Sequence, residues 1–163
     1  MNHVAVSVTD IKRAKEWYRD VLGMKVLVEP IEIAPAKAGS DPRLGNLVKQ
    51  IFGDRLGAFL ICHMLTPDGT GIELFQFLDP PAARREDNFE YWKTGFFHVA
   101  ITEPQIAELA EKIAASGGKK RTEVLEFGSG GKKICFCEDP FGNIIEIYSH
   151  SYEQFWGGTG LQP

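Results

Sequence analysis

NHVAVSV at residues 2–8 and FHVAI at residues 97–101 are two versions of one element. Each sets His-Val-Ala at the head of an apolar run, and each run meets a Thr-acid pair, Thr9-Asp10 and Thr102-Glu103. Each pair opens a helical pattern, over residues 11–23 and 104–118. Ile11, Ala14, Trp17, Tyr18, Val21 and Leu22 recur at helical spacing in the first, and Ile106, Leu109, Ala110 and Ile113 in the second. Thr or Asp before a first turn is an N-cap signal, Pro104 suits an early helical position, and Gly23 and Gly117-Gly118 suit the exits.

The ends of the halves match as well. GIELFQF (71–77) and NIIEIYS (143–149) are alternating strands with a glutamate in the middle. Strand-like runs lie between them, at 24–33 and 57–65 in the first half and at 119–127 and 132–138 in the second. GSGG (128–131) predicts a hairpin turn, and Asp139-Pro140-Phe141-Gly142-Asn143 a tight structural turn. The order strand–helix–strand–strand–strand therefore occurs twice, over residues 1–78 and 95–150, with 79–94 as linker and 151–163 as tail. The first half is the longer, and its excess falls around 34–56. Leu44, Leu47, Val48 and Ile51 there predict a short inserted helix.

Composition narrows the class. The chain has 163 residues, 44% hydrophobic and 25% charged, which suits one globular domain and argues against disorder. A net charge of −4 with no basic block argues against nucleic acid. No apolar run reaches the ~20 residues of a membrane helix, and MNHVAVSVTD lacks a secretory pattern. Cys62, Cys135 and Cys137 are an odd set, two of them one residue apart in an apolar strand, and make no disulfide framework. A cytoplasmic protein is expected.

Four ionisable residues interrupt four apolar strands: His3, Glu73, His98 and Glu146. Strand side chains alternate between faces. His3 shares a face with Ala5 and Ser7, Glu73 with Phe75 and Phe77, His98 with Phe96 and Ala100, and Glu146 with Ile144 and Tyr148. The opposite faces are almost wholly apolar, and the two amphipathic helices are expected to cover them. A single strand histidine is usually a hydrogen-bonded core residue, and a single glutamate usually lies on a solvated face. All four at repeat-equivalent positions point instead to a shared divalent cation, since an unpaired buried carboxylate costs several kcal/mol. Histidine and carboxylate ligands suit Ni, Co, Zn, Fe or Mn. His63 shares a face with Ile61 and Leu65 and is read as a core or edge residue; His150 is read as surface.

Residues 3–24 and 138–146 resemble the vicinal oxygen chelate superfamily, the group of glyoxalase I, bleomycin-resistance proteins and extradiol dioxygenases. The motifs that carry this are His-Val-Ala-Val…Thr-Asp…Trp-Tyr-Arg-Asp-Val-Leu-Gly-Met and Glu-Asp-Pro-Phe-Gly-Asn-Ile-Ile-Glu. The resemblance covers about residues 1–150 and is closest to metal-binding glyoxalase-I-like members. It implies an α+β fold of paired βαβββ modules, forming a cupped, partly closed mixed sheet with helices on the outer face. It implies metal ligands at His3, Glu73, His98 and Glu146, with Ni, Co or Zn favoured. It also implies a homodimer, for which the aromatic residues Phe89, Tyr91, Trp92, Phe155 and Trp156 offer partner surfaces unless they pack on their own chain. Ser7 departs from the family, which commonly has an arginine there to hold the glutathione carboxylate.

The activity implied is metal-assisted proton transfer next to a carbonyl through an enediolate, of the lactoylglutathione lyase or isomerase type. Glu146 is the expected base, with Glu73 the alternative. Ser7, Phe75, Phe77, Phe96 and Tyr148 would line the pocket. The substrate would be an α-ketoaldehyde–thiol adduct or an acyl thioester. A CoA-thioester epimerase and a non-catalytic drug-binding protein are the competing readings. A ring-cleaving dioxygenase is disfavoured by Glu73.

Overall fold

A computed structural model describes residues 1–35, 41–86, 88, 90–128 and 130–157. The chain divides into two compact units, Met1–Arg84 and Arg85–Pro163. Parts of four segments singled out in the sequence lie outside the described residues: 36–40 of the insertion, Asp87 and Phe89 of the linker, Ser129 of the GSGG turn, and 158–163 of the tail.

The first unit runs β1 (His3–Ser7), α1 (Ile11–Asp20), β2 (Lys25–Ile33), α2 (Pro42–Phe52), β3 (Ala58–Leu65) and β4 (Gly71–Asp79). Its sheet has the order β1-β4-β3-β2, with β1 parallel to β4 and the other pairs antiparallel. The Asp10 carboxylate accepts from the Arg13 amide at 3.1 Å, which caps α1 as its position predicts. The exit is made at Gly23, whose φ of +70° lets the Met24 amide reach back to the Tyr18 carbonyl. Ile11, Ala14, Trp17 and Tyr18 of α1 are buried, as are Val6, Cys62, Met64, Ile72 and Leu74 of the sheet face toward it. Each such large side chain stabilises the fold by about 1.5–3 kcal/mol. Gln76 adds a polar tie: its side-chain oxygen accepts from the Ile11 amide at 2.9 Å, joining β4 to the start of α1. At the outer edge, β2 has irregular register on either side of Val28, the second break spanning Glu29-Pro30.

The second unit runs β5 (Val99–Thr102), α3 (Ile106–Ala115), β6 (Lys119–Lys120), β7 (Leu125–Glu126), β8 (Lys133–Glu138), β9 (Ile144–Tyr148) and α4 (Tyr152–Trp156). β5 is parallel to β9, and β8 lies antiparallel between β9 and β6, with β7 also on β8. The single strand expected over 119–127 is two short ones. Thr122 causes the break: its hydroxyl accepts from the Phe136 amide at 3.0 Å, where a backbone carbonyl would stand in an unbroken ladder. The Arg121 amide still donates to the Phe136 carbonyl at 2.8 Å, and its side chain pairs with Glu138 at 2.5 Å, both side chains almost wholly buried. The turn after β8 is built on Asp139, whose carboxylate accepts from the Phe141 and Asn143 amides at 2.9 and 2.8 Å.

The α+β class and the two βαβββ modules are therefore present, each with its own mixed sheet. Among the described residues neither sheet closes into a barrel. No helix among them is long and apolar enough to cross a membrane.

Two glycines test this packing in opposite directions. A Cβ on Gly118 would lie 2.4 Å from the Glu138 carbonyl and 2.7 Å from the Ile113 side chain, where α3 meets β8. Gly118→Val should lower Tm by about 4 °C or more, as overpacking of ~1–3 kcal/mol requires for a chain of this size. Gly45 lies inside α2, where an added Cβ would make only ordinary contact with Pro35. Gly45→Ala should raise Tm by about 2 °C through better helix propensity. Thermal unfolding followed by circular dichroism measures both.

Candidate functional site

In the first unit the register of β4 against β1 and β3 sets the polar residues on one sheet face. Glu73 lies opposite Ala5 on one side and His63 on the other; His3 lies opposite Gly71, and Ser7 opposite Phe75. His3 Nε2 is 3.6 Å from one Glu73 oxygen, and His63 Nδ1 is 3.4 Å from the other. Gly71 makes room for this: a Cβ there would sit 2.9 Å from that of His3. The Asn2 side-chain oxygen lies 2.7 Å from His3 Nδ1. An amide oxygen only accepts, so Nδ1 donates to it, which leaves Nε2 as the ring atom turned to the carboxylate.

Beside this group lies an aromatic wall. Phe75 and Phe77 of β4 pack with Phe59 of β3, and Phe52 at the end of α2 covers all three, with ring centroids 5.4–6.2 Å apart. The inserted helix is thus present where the spacing of Leu44, Leu47, Val48 and Ile51 predicts it. Val48 is buried, Leu47 and Ile51 are exposed, and Phe52, at the next position, makes the ring contacts.

In the second unit the equivalent face holds His98 and Glu146. His98 Nε2 is 3.2 Å from a Glu146 oxygen, and Glu146 is only 7% exposed. The imidazole stands edge-on to Phe97 and Phe136, with centroids 4.6 and 5.8 Å away. Burial raises the Glu146 carboxyl above the ordinary carboxylate range, against the opposing pull of His98 and of a hydrogen bond from the Tyr148 hydroxyl. Tyr148 is itself covered by α4, with the Phe155 ring edge-on at 4.7 Å. Phe155 is fully buried and packs on its own chain, whereas Tyr91 and Trp92 of the linker are exposed.

The sequence-derived residues thus gather as two groups, His3 with Glu73, Ser7, Phe75 and Phe77, and His98 with Glu146 and Tyr148. Phe96 does not join the second group. It precedes β5 and is fully exposed. Phe52 near the groups escapes the sequence reading, and His63, read there as a core or edge residue, faces Glu73 instead. Glycine at the head of β4 and a histidine alternating with Ile61 were the signals available for that contact. Cys62, Cys135 and Cys137 are free and buried, away from this face, and burial pushes the Cys62 thiol up to about 11.

Among the described residues, no three His, Cys, Asp or Glu side chains form a ready-made metal shell. The donor types nevertheless suit a borderline divalent cation. One local sign agrees: His98 Nδ1 is buried without a hydrogen-bond partner.

Comparison with known proteins agrees with this architecture. Over 145 residues the chain is 29% identical to a lactoylglutathione lyase of Arabidopsis thaliana, covering 89% of this chain and 42% of that protein. The chain thus spans less than half the length of that relative. A glyoxalase family protein of Bacillus cereus superposes with a TM-score of 0.73 at 22% identity, covering 91% of each chain. Glyoxalase I of Zea mays gives a TM-score of 0.60 at 23% identity, covering 92% of this chain and 44% of that one. These two likenesses establish the fold. A family model matches residues 1–147, and the chain belongs to the Glyoxalase/Bleomycin resistance protein/Dioxygenase superfamily.

Proposed function

We propose that the chain is a glyoxalase-I-like lyase or isomerase that moves a proton between adjacent carbons next to a carbonyl. The observation that carries this is the pair of His–Glu contacts at repeat-equivalent positions, His3 of β1 with Glu73, and His98, one residue before β5, with Glu146. These four residues would hold a divalent cation, with Ni, Co or Zn favoured and Fe or Mn as further candidates. When bound, the cation supplies Lewis-acid stabilisation of charge developing on the substrate's carbonyl oxygen.

The remaining work falls to the chain's own side chains. Glu146 is the base. Its buried carboxylate, raised in basicity by desolvation, takes the proton from the carbon beside the carbonyl and returns it to the neighbouring carbon. His98 and the Tyr148 hydroxyl orient that carboxylate. Phe75, Phe77 and Phe52 offer an apolar wall to the acyl part of the substrate and exclude water from their side. Ser7 carries no charge for a glutathione carboxylate, so the substrate class is an α-ketoaldehyde–thiol adduct in general. A second reading is epimerisation of a CoA thioester, in which the α-proton is removed to give an enolate and a proton returns to the same carbon on its other face. Two copies of the chain would form the working assembly, a reading supported by the exposed Tyr91 and Trp92.

Metal-free protein given Ni, Co or Zn should turn over a methylglyoxal–thiol adduct, followed by ultraviolet absorbance. No turnover with any of these metals and several thiols would overturn the reading. Glu146→Gln should lower kcat by about 10²–10⁴-fold, the range of a lost general base. Elemental analysis should find about one metal per chain in the parent, reduced in that variant. Unchanged metal content would remove Glu146 from the ligand set.

The second reading has its own signature. A CoA thioester with a substituted α-carbon should exchange its α-proton with deuterated water, seen by mass spectrometry, while the thiol adducts remain unchanged.

A further inference from the structure

The two halves differ at one cross-strand position. β3 places His63 opposite Glu73, and the corresponding register in the second unit, β8 against β9, places Phe136 opposite Glu146. The consequence for each carboxylate is different. Glu73 has an imidazole at each oxygen, His3 at 3.6 Å and His63 at 3.4 Å. Glu146 has an imidazole at one side only, and the ring of Phe136 packs against His98 instead.

We propose that His63 is a positioning residue that holds the Glu73 carboxylate in place from β3, so that Glu73 serves as a fixed ligand and Glu146 as the glutamate free to carry the proton. The assignment of roles rests on the proposed function above. The contact itself does not. Three features argue that His63 acts on Glu73 rather than filling core. His63 is about one-third exposed, so burial does not account for a histidine there. Its Nδ1, the nitrogen nearest the main chain, is the atom turned to the carboxylate. The oxygen it meets is the one His3 leaves uncovered, so the two imidazoles divide the carboxylate between them. A carboxylate approached by an imidazole at each oxygen has less room to rotate than one approached at a single oxygen, and partners behind a metal ligand typically change metal affinity 10–100-fold.

His63→Phe copies what the second half carries, and His63→Asn keeps a donor near the place of Nδ1. Cobalt(II) titration of metal-free protein, read by visible absorbance, compares them. His63→Phe should bind cobalt at least about tenfold more weakly, with an altered spectrum, and His63→Asn should recover most of both. Equal affinity and spectrum in His63→Phe would overturn the proposal. A parent protein that takes up no cobalt, nickel or zinc would overturn the proposed metalloenzyme instead. The contact is then decided without metal, by a thermal double-mutant cycle of His63→Phe with Glu73→Gln. A Tm loss of about 2–4 °C for His63→Phe should shrink by half or more on the Glu73→Gln background. Simple additivity would overturn the contact.

Discussion

A carboxylate on an otherwise apolar sheet face has to be met by charge or hydrogen bonds, because removing it from water without them costs several kcal/mol. Glu146 is a case without a full positive charge such as the arginine that meets Glu138. It is buried beneath an imidazole at 3.2 Å and a tyrosine hydroxyl. The elements around it can be understood from that requirement. Parallel pairing of β5 with β9 brings His98 near, and antiparallel pairing with β8 supplies Phe136 to hold the imidazole edge-on. The opposite face of the same sheet is left to α3, and Ile145 and Ile147 are buried there beside Cys137 and Cys135. One strand thus divides its alternate residues between chemistry and cohesion.

That division was legible in the sequence because its period is local. Alternation along a strand needs no knowledge of neighbours, and helix spacing and caps are equally local. The βαβββ order, the faces of β1, β4 and β9, and the inserted helix could all be read in this way. What could not be read depends on registers between strands distant in sequence. His63 looks like any histidine in an apolar run until β3 is laid against β4 and Glu73 proves to be its partner. Phe52 joins the aromatic wall only because α2 turns its last residue toward β4. The division of 119–127 into two strands follows from one Thr122 hydroxyl that competes with a backbone carbonyl. Phe96 fails for a related reason: β5 begins at Val99, so the alternation that still places His98, one residue before the strand, no longer holds two residues further out.

The two halves also show how a repeated module is finished differently. Each has an aromatic cover beside its glutamate, yet the covers come from unrelated places. In the first unit the cover is an insertion between β2 and β3, ending in Phe52. In the second it is α4, after the last strand, set by the Ser151–Gln154 capping box and tied by the Lys132 amine to the Phe155 carbonyl at 2.5 Å. Both covers meet the residue two places after the glutamate, Phe75 or Tyr148. A phenyl ring there adds only bulk, while a phenol adds a donor. The same geometric place is thus inert in one half and polar in the other.

The irregular edge of the first sheet has a consequence for how this chain meets others. β2 exposes Leu27, Val28 and Ile31, side chains that on a flat, regular edge would invite another strand to pair. Pro30 has no amide hydrogen, and the two register breaks around Val28 bend the backbone out of a straight ladder. Strand addition along this edge is therefore blocked in the middle, however apolar the surface. This apolar margin therefore presents side chains rather than an unbroken run of backbone donors and acceptors to whatever meets it.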